Sequence, residues 1–350
     1  MLNRSQPESL LLRYLQIAFF ASAFLYFGRE LLVPLSYGLL IGFVLYPVCH
    51  WLETKGVRRL FAVAVAITLL LLLLSLVLGL LVNQFLNFLT EWPQLQSKLN
   101  QSFYDFSQWL VQTAGMSKEM QQKFIVTLSD QSSGNLITVI ENSVTASAFS
   151  LVSLFLIFIY AVLILYYRHY WMQVLKKILP GEREDDLHEM VMLSIRAYYN
   201  FIKGMLVVYA VVGFLNSLGL LVLGVPHPFL FGYIASILTF IPYVGIIVGS
   251  LLPISMAWLT YDSVWYPVGV IGIFTFVQYL EANIVFPIAV SNRLNVNTLA
   301  MLLSIILGGL LWGVSGMILF VPFVGIAKLV ADRNPRWKTL SMILGTEVRQ

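Results

Sequence analysis

From Gly204 to Tyr261 the chain carries no Asp, Glu, Lys or Arg. Leu60–Thr90 and Leu294–Ala327 are also free of charge, and each exceeds the ~20 residues that an α-helix needs to cross a bilayer. Backbone N–H and C=O groups find no water in hydrocarbon, so a chain with several such runs must satisfy them inside helices. Charged residues make up 11% of the sequence, against roughly 25% in soluble domains. The expected class is an all-α polytopic membrane protein. About eight transmembrane helices are expected, with interrupted or re-entrant segments and a small external helical insertion.

The spans read as approximately 10–28, 31–52, 60–88, 146–167, 204–224, 229–260, 264–290 and 297–331. The segment 89–145 is polar, yet Leu95, Leu99, Phe103, Phe106 and Leu110 recur at helical spacing, predicting amphipathic helices outside the membrane. Residues 168–203 predict a cytoplasmic amphipathic helix that feeds the next span, and 204–350 a C-terminal transmembrane core with a cytoplasmic tail. Lys55, Arg58 and Arg59 crowd one short loop, and Arg168, Lys176, Lys177, Arg183, Arg196 and Lys203 another, whereas 89–145 holds only Lys98, Lys118 and Lys123. The positive-inside bias therefore places both termini in the cytoplasm. The formal net charge of +4 is too small, and too local to these loops, to predict a nucleic-acid partner. Cys49 is the single cysteine, which excludes an intrachain disulfide.

The stretch "LTFIPYVGIIVGSLLP", Leu238–Pro253, places Pro242, Gly245, Gly249 and Pro253 inside an apolar run. Proline removes a backbone N–H and frees the carbonyl four residues back. Pro242 would free Leu238 and Pro287 would free Asn283. Broken backbone at membrane depth persists only inside protein or along a wet cavity, where transporters place half-helix ends and free carbonyls. Simple kinking is the competing reading of each proline.

Glu281 is the other candidate. Its nearest charges are Asp262 and Arg293, and an ionisable group inside a span points to function. Gln278, three residues back, shares its helix face, while Asn283 lies on another. The substrate or ion site is thus expected at Glu281, Gln278, Asn283, Pro242, Gly245, Gly249 and Pro287. Gly308, Gly309, Gly313 and Gly316 read as small residues for close helix packing along one span. No GxSxG, HExxH or Walker loop is present, and the four histidines are too scattered for a metal site. The expectation is a protein without enzyme activity, cofactor or resident metal.

These residues resemble the autoinducer-2 exporter (AI-2E) family of bacterial membrane transporters. Three ordered blocks carry the resemblance. The first is "LLVPLSYGLLIGFVLYPVCHWLETKGVRRLFAV". The second runs from "YNFIKGMLVVYAVVGFLNS" through "FIPYVGIIVG", with Gly204, Gly219, Gly224, Gly232, Pro242, Gly245 and Gly249 in place. The third is "QYLEANIVFPIAVSNRLNVNTLAMLLSIILGGLLWGVSGMILFVPFVGI". Met205, Ser291 and Asn292 depart from the family pattern. The resemblance implies export of a small polar, autoinducer-2-like solute across the bacterial cytoplasmic membrane by homo-oligomers, pentamers among them. Some members resemble sodium or lithium/proton antiporters, which keeps monovalent cation/proton exchange as the alternative. An oligomeric channel or membrane scaffold is the alternative from another class.

Overall fold

The computed structural model describes residues 7–114, 152–178, 184–239, 244–261, 263–290, 296–333 and 337–345. Among them the secondary structure is helical, apart from one isolated bridge between Val296 and Gly345. The elements are α1 (Pro7–Phe27), α2 (Arg29–Thr54), α3 (Arg59–Ala114), α4 (Val152–Tyr166), α5 (Arg168–Ile178) and α6 (Glu184–Val222). They continue as α7 (Pro228–Leu238), α8 (Val244–Thr260), α9 (Trp265–Leu280), a π-helical turn (Glu281–Val285), α10 (Phe286–Ala289), α11 (Thr298–Trp312), α12 (Val314–Arg333) and α13 (Lys338–Leu344). Five described helices are long and apolar enough to cross a membrane, and a sixth span results if the bent pair α4–α5 is counted as one. The protein is an all-α polytopic membrane protein.

Two of the eight expected spans are not single rods. The run 229–260 is two helices, α7 and α8, packed side by side. Gly245 lies against the backbone of Leu238 and Thr239, and Gly249 against Ala235, so the pair runs antiparallel. With 11 residues α7 is only about 16 Å long, a half-span, so the chain enters and turns back. The run 297–331 is likewise a hairpin, α11–α12, turning at Gly313 with φ of +61°. Only glycine adopts that backbone freely. Hydropathy alone could not reveal either hairpin, because both arms are apolar and the turns contain no charge; for the first, the prolines and glycines of 238–253 had predicted an interrupted or re-entrant segment.

At 88/89 and 203/204, the limits of two expected spans, the helices themselves do not end. α3 runs unbroken through Phe88 to Ala114, and α6 runs unbroken through Lys203 into its apolar half. Polarity changes at both points, but helix propensity does not, so the backbone continues. The remainder of the expected external insertion, 115–151, lies outside the described residues.

The chain forms two compact units: Met1–Leu69, Ser153–Gly204 and Val290–Gln350 in the first, and Leu70–Val152 with Met205–Ala289 in the second. In the first unit α2 buries Pro34, Gly38, Gly42, Leu45 and Cys49 at helical spacing. Gly38 sits against the Ile157 carbonyl and the Tyr160 side chain, close enough that a methyl there would collide with α4. Leu40, Tyr198 and Leu319 join α2, α6 and α12, and the Trp312 Nε1–H donates to the Leu25 carbonyl at 2.8 Å. At one end Lys328, 7% exposed, pairs with Asp332, which also accepts a hydrogen bond from the Ser341 hydroxyl.

The second unit packs Leu220, Leu230, Phe231, Ala235, Met256, Ala257, Val270 and Phe274 into one core. The chain leaves α6 through a paired closure. Val225 N–H donates to the Leu220 carbonyl and Gly224 N–H to that of Leu221, both at 3.0 Å, with Gly224 at φ +78°. His227 then starts α7 from a left-handed conformation, with its ring edge-on to Phe88 and Phe231.

Candidate functional site

The site is built in the second unit from α6, the α7–α8 hairpin and α9. Val270, Phe274 and Val277 form the buried stripe of α9 at spacings of four and three, and Glu281 takes the next place in it. There the helix changes hydrogen-bonding period. Glu281–Val285 is a π-helical turn, in which the Phe286 N–H donates to the Glu281 carbonyl five residues back. Such turns are rare, cost stability and gather at functional sites. Pro287 follows within two residues of its end, so the carbonyl that proline leaves over coincides with a backbone already off the α period.

Glu281 Oε2 and Gln278 Oε1 are both buried with no donor from any described residue. They stand one turn apart on the same face. Across from them on α6, Tyr209 lies within electrostatic reach of the Glu281 carboxyl. Its main-chain carbonyl accepts a hydrogen bond from the Ser236 hydroxyl of α7 at 2.7 Å. Two turns farther along α6, Asn216 is 3% exposed and its Oδ1 also has no donor. Gly219 of α6 lies against Ile273 of α9. With Tyr209 near Glu281, this fixes an antiparallel register that runs Gln278 and Asn216 along the same seam. Each buried acceptor left unpaired costs about 1–3 kcal/mol. A seam holding several asks for a donor from outside the chain's own groups: a hydroxyl, a proton or a small cation.

The hairpin brings its open end to the same place. Ser236, bonded to Tyr209, is the last residue but two of α7, and α8 starts at Val244. The negative end of the α7 dipole and the positive end of α8 therefore both lie toward Tyr209. Gly245 and Gly249 make this approach possible. A Cβ at 249 would stand 2.7 Å from the Ala235 Cα, and one at 245 would overlap the Leu238 carbonyl.

The expected site residues thus divide. Glu281, Gln278, Gly245 and Gly249 all belong to the second unit, the two glycines in the α7–α8 packing and the two polar residues on one face of α9, with Pro287 just beyond the π turn. Asn283 is not: its amide donates to the Tyr279 carbonyl at 2.8 Å on the exposed flank of its own helix. Pro242, with Arg293, lies outside the described residues. Gly308, Gly309, Gly313 and Gly316 belong to the other unit, where they serve close helix packing as expected but between the two arms of a hairpin instead of along one unbroken span. Gly308 and Gly316 touch backbone to backbone across the α11–α12 pair, Gly309 holds Met317, and Gly313 is the turn. Tyr209 and Asn216 were missed. Their signal was available: two polar side chains seven residues apart in a charge-free run share a helix face.

Among the described residues no cluster of three or more His, Cys, Asp or Glu could hold a metal ion. The comparisons with known proteins agree with the fold. The profile described as AI-2E family transporter matches residues 15–335. YhhT of Escherichia coli (strain K12), provisionally named a transport protein, is 23% identical over 91% of this chain and 89% of its own length. YueF of Bacillus subtilis (strain 168), also provisionally named a transport protein, is 26% identical over 89% of this chain and 86% of its own. The AI-2 transport protein TqsA of Escherichia coli (strain K12) is 23% identical, covering 91% and 90% respectively. A family profile spanning almost every described helix, on a polytopic all-α frame, makes this chain a member of the AI-2E family of membrane transporters.

Proposed function

We propose that the protein is a secondary transporter that exports a small polar solute of the autoinducer-2 kind across the bacterial cytoplasmic membrane. It acts as a homo-oligomer with both termini inside. The observation that carries this reading is the π turn at Glu281 in a membrane span, with unpartnered acceptors Glu281 Oε2, Gln278 Oε1 and Asn216 Oδ1 along one seam. A row of acceptors suits a solute rich in hydroxyl donors. The half-helix ends of α7 and α8 supply the dipoles that transporters use at the middle of the membrane. TqsA, by its name, supplies the class of solute.

Monovalent cation/proton exchange is the second reading, favoured by a specific observation: Glu281 forms no ion pair with a described cation, which leaves its carboxyl to carry one. Proteoliposomes loaded with a pH dye and tested for counterflow of a labelled autoinducer-2 preparation separate the readings. Export predicts saturable counterflow without a dye response to Na⁺ or Li⁺ pulses, and at least a tenfold loss in Glu281→Gln. A dye response without counterflow would transfer the site to cation exchange. Unsaturable flux without counterflow would make the protein a channel.

A further inference from the structure

The first unit holds another collection of charged side chains, outside the candidate site. α4 and α5 meet at Tyr167 with a bend of 77°. α4 is apolar, whereas α5, "RHYWMQVLKKI", is amphipathic and ends with Lys176 and Lys177. Aromatic residues crowd the corner: Tyr166 and Tyr167 meet edge-on at 5.0 Å, and Tyr170 and Trp171 at 6.3 Å. A span that turns sharply into an amphipathic helix through an aromatic corner sets that corner at the headgroup layer.

The corner is held to the end of α2 by charge. Glu53 pairs with Arg168, and its Oε1 lies 3.9 Å from Arg59 Nε. One carboxylate thus serves two guanidinium groups, leaving one positive charge over. Arg59 Nε and Arg168 Nη1 are buried without an acceptor, and Arg59 Nη1 reaches the Tyr166 carbonyl only at 3.5 Å. Arg168 also lies over the Tyr46 ring at 5.2 Å. Beside this cluster opens a groove of about 390 Å³ lined by Arg59, Tyr166, Tyr167, His169 and Tyr170. Burial, then the Arg59 and Arg168 charges, hold the His169 imidazole below its usual range against the opposing pull of Glu53. The groove is therefore electropositive, aromatic and at headgroup level.

We propose that this groove seats the phosphate of an anionic phospholipid, with Arg59 and His169 on the phosphate and the tyrosine rings against the glycerol and upper acyl chains. Basic pockets between spans at the membrane surface bind such headgroups, at about 1 kcal/mol for each cation near the surface. The lipid would complete the charge balance of the Glu53, Arg59 and Arg168 cluster and brace the α4–α5 corner.

The full-length protein in maltoside micelles can be titrated with dioleoyl phosphatidylglycerol, dioleoyl phosphatidylcholine or inorganic phosphate, and bound lipid counted by native mass spectrometry. Phosphatidylglycerol is expected to be retained in preference to phosphatidylcholine. Arg59→Gln is expected to weaken it about fivefold, the equivalent of one surface cation, and Lys338→Gln, which removes a charge that does not line the groove, to leave it unchanged. His169→Gln provides a second variant that leaves the Glu53 pairing intact, should Arg59→Gln fail to fold. Equal retention of the two lipids, or unchanged retention in the folded variants, would overturn the proposal. So would phosphate displacing the lipid at equal concentration, which would assign the groove to a soluble anion.

Discussion

Gly249→Ala adds one methyl to α8 where it crosses α7. The new Cβ would stand 2.7 Å from the Ala235 Cα and 2.8 Å from its Cβ. Carbon atoms rest at about 3.5–4.0 Å, so the helices must part by roughly 0.8 Å or more. The Cα belongs to the backbone, and no rotamer change relieves it. Overpacking of this kind costs about 1–3 kcal/mol, with rigid neighbours at the upper end. Replacing glycine by alanine within a helix returns up to about 1 kcal/mol. The net loss is thus about 1–2 kcal/mol, a fall of several degrees in the melting temperature of the micellar protein. Counterflow in proteoliposomes should fall with it, because the methyl wedges the open end of the hairpin away from Tyr209. Gly272→Ala on α9 is the matched control: a Cβ there meets nothing within 4 Å, so the substitution should be neutral or stabilising. Ala235→Gly should rescue Gly249→Ala only in part, since it removes the opposing methyl and leaves the α7 main chain in the way. Equal melting temperatures for the Gly249 and Gly272 variants, with transport intact, would refute the hairpin packing.

Asn297 caps α11 by accepting the Ala300 N–H at 2.7 Å, and its amide donates to the carbonyls of Ile343 at 2.7 Å and Gly345 at 3.0 Å. Asn297→Ala should cost about 2 kcal/mol, summed from a lost cap and weak exposed bonds. It should accelerate amide exchange across Lys338–Leu344, whereas Asn297→Ser should keep the cap and lose only the clamp on α13. Unchanged exchange in Asn297→Ala would remove the clamp. Asn216→Leu should raise the melting temperature or leave it level, because a buried acceptor without a donor disappears. It should nevertheless slow counterflow severalfold, and a variant both stable and fully active would take Asn216 out of the solute path.

Charge and hydropathy made membrane class and helix content legible, because hydrocarbon leaves a chain no other way to satisfy its backbone. That Glu281 and Gln278 share a helix face was legible too, as was the cost of a carboxylate inside an apolar run. Asn283 already read as lying on another face than Glu281, and in the fold its side chain bonds back to Tyr279. Gly308 and Gly316 read as close-packing residues along one span because they share an apolar run. Their true relation is across a turn, and the φ of Gly313 that makes the turn leaves no mark in composition.

Solvent chemistry acts on each residue separately, so the sequence by itself determined that this chain lives in a membrane, builds helices and keeps an ionisable group at depth. Only tertiary structure decided that two apolar runs fold back into hairpins, that α9 slips into a π turn at Glu281, and that Tyr209 and Asn216 share its seam. The physical reason is that those outcomes depend on close backbone approaches between segments far apart in the chain. A glycine that merely loosens one helix and a glycine that admits a neighbouring helix are written with the same letter.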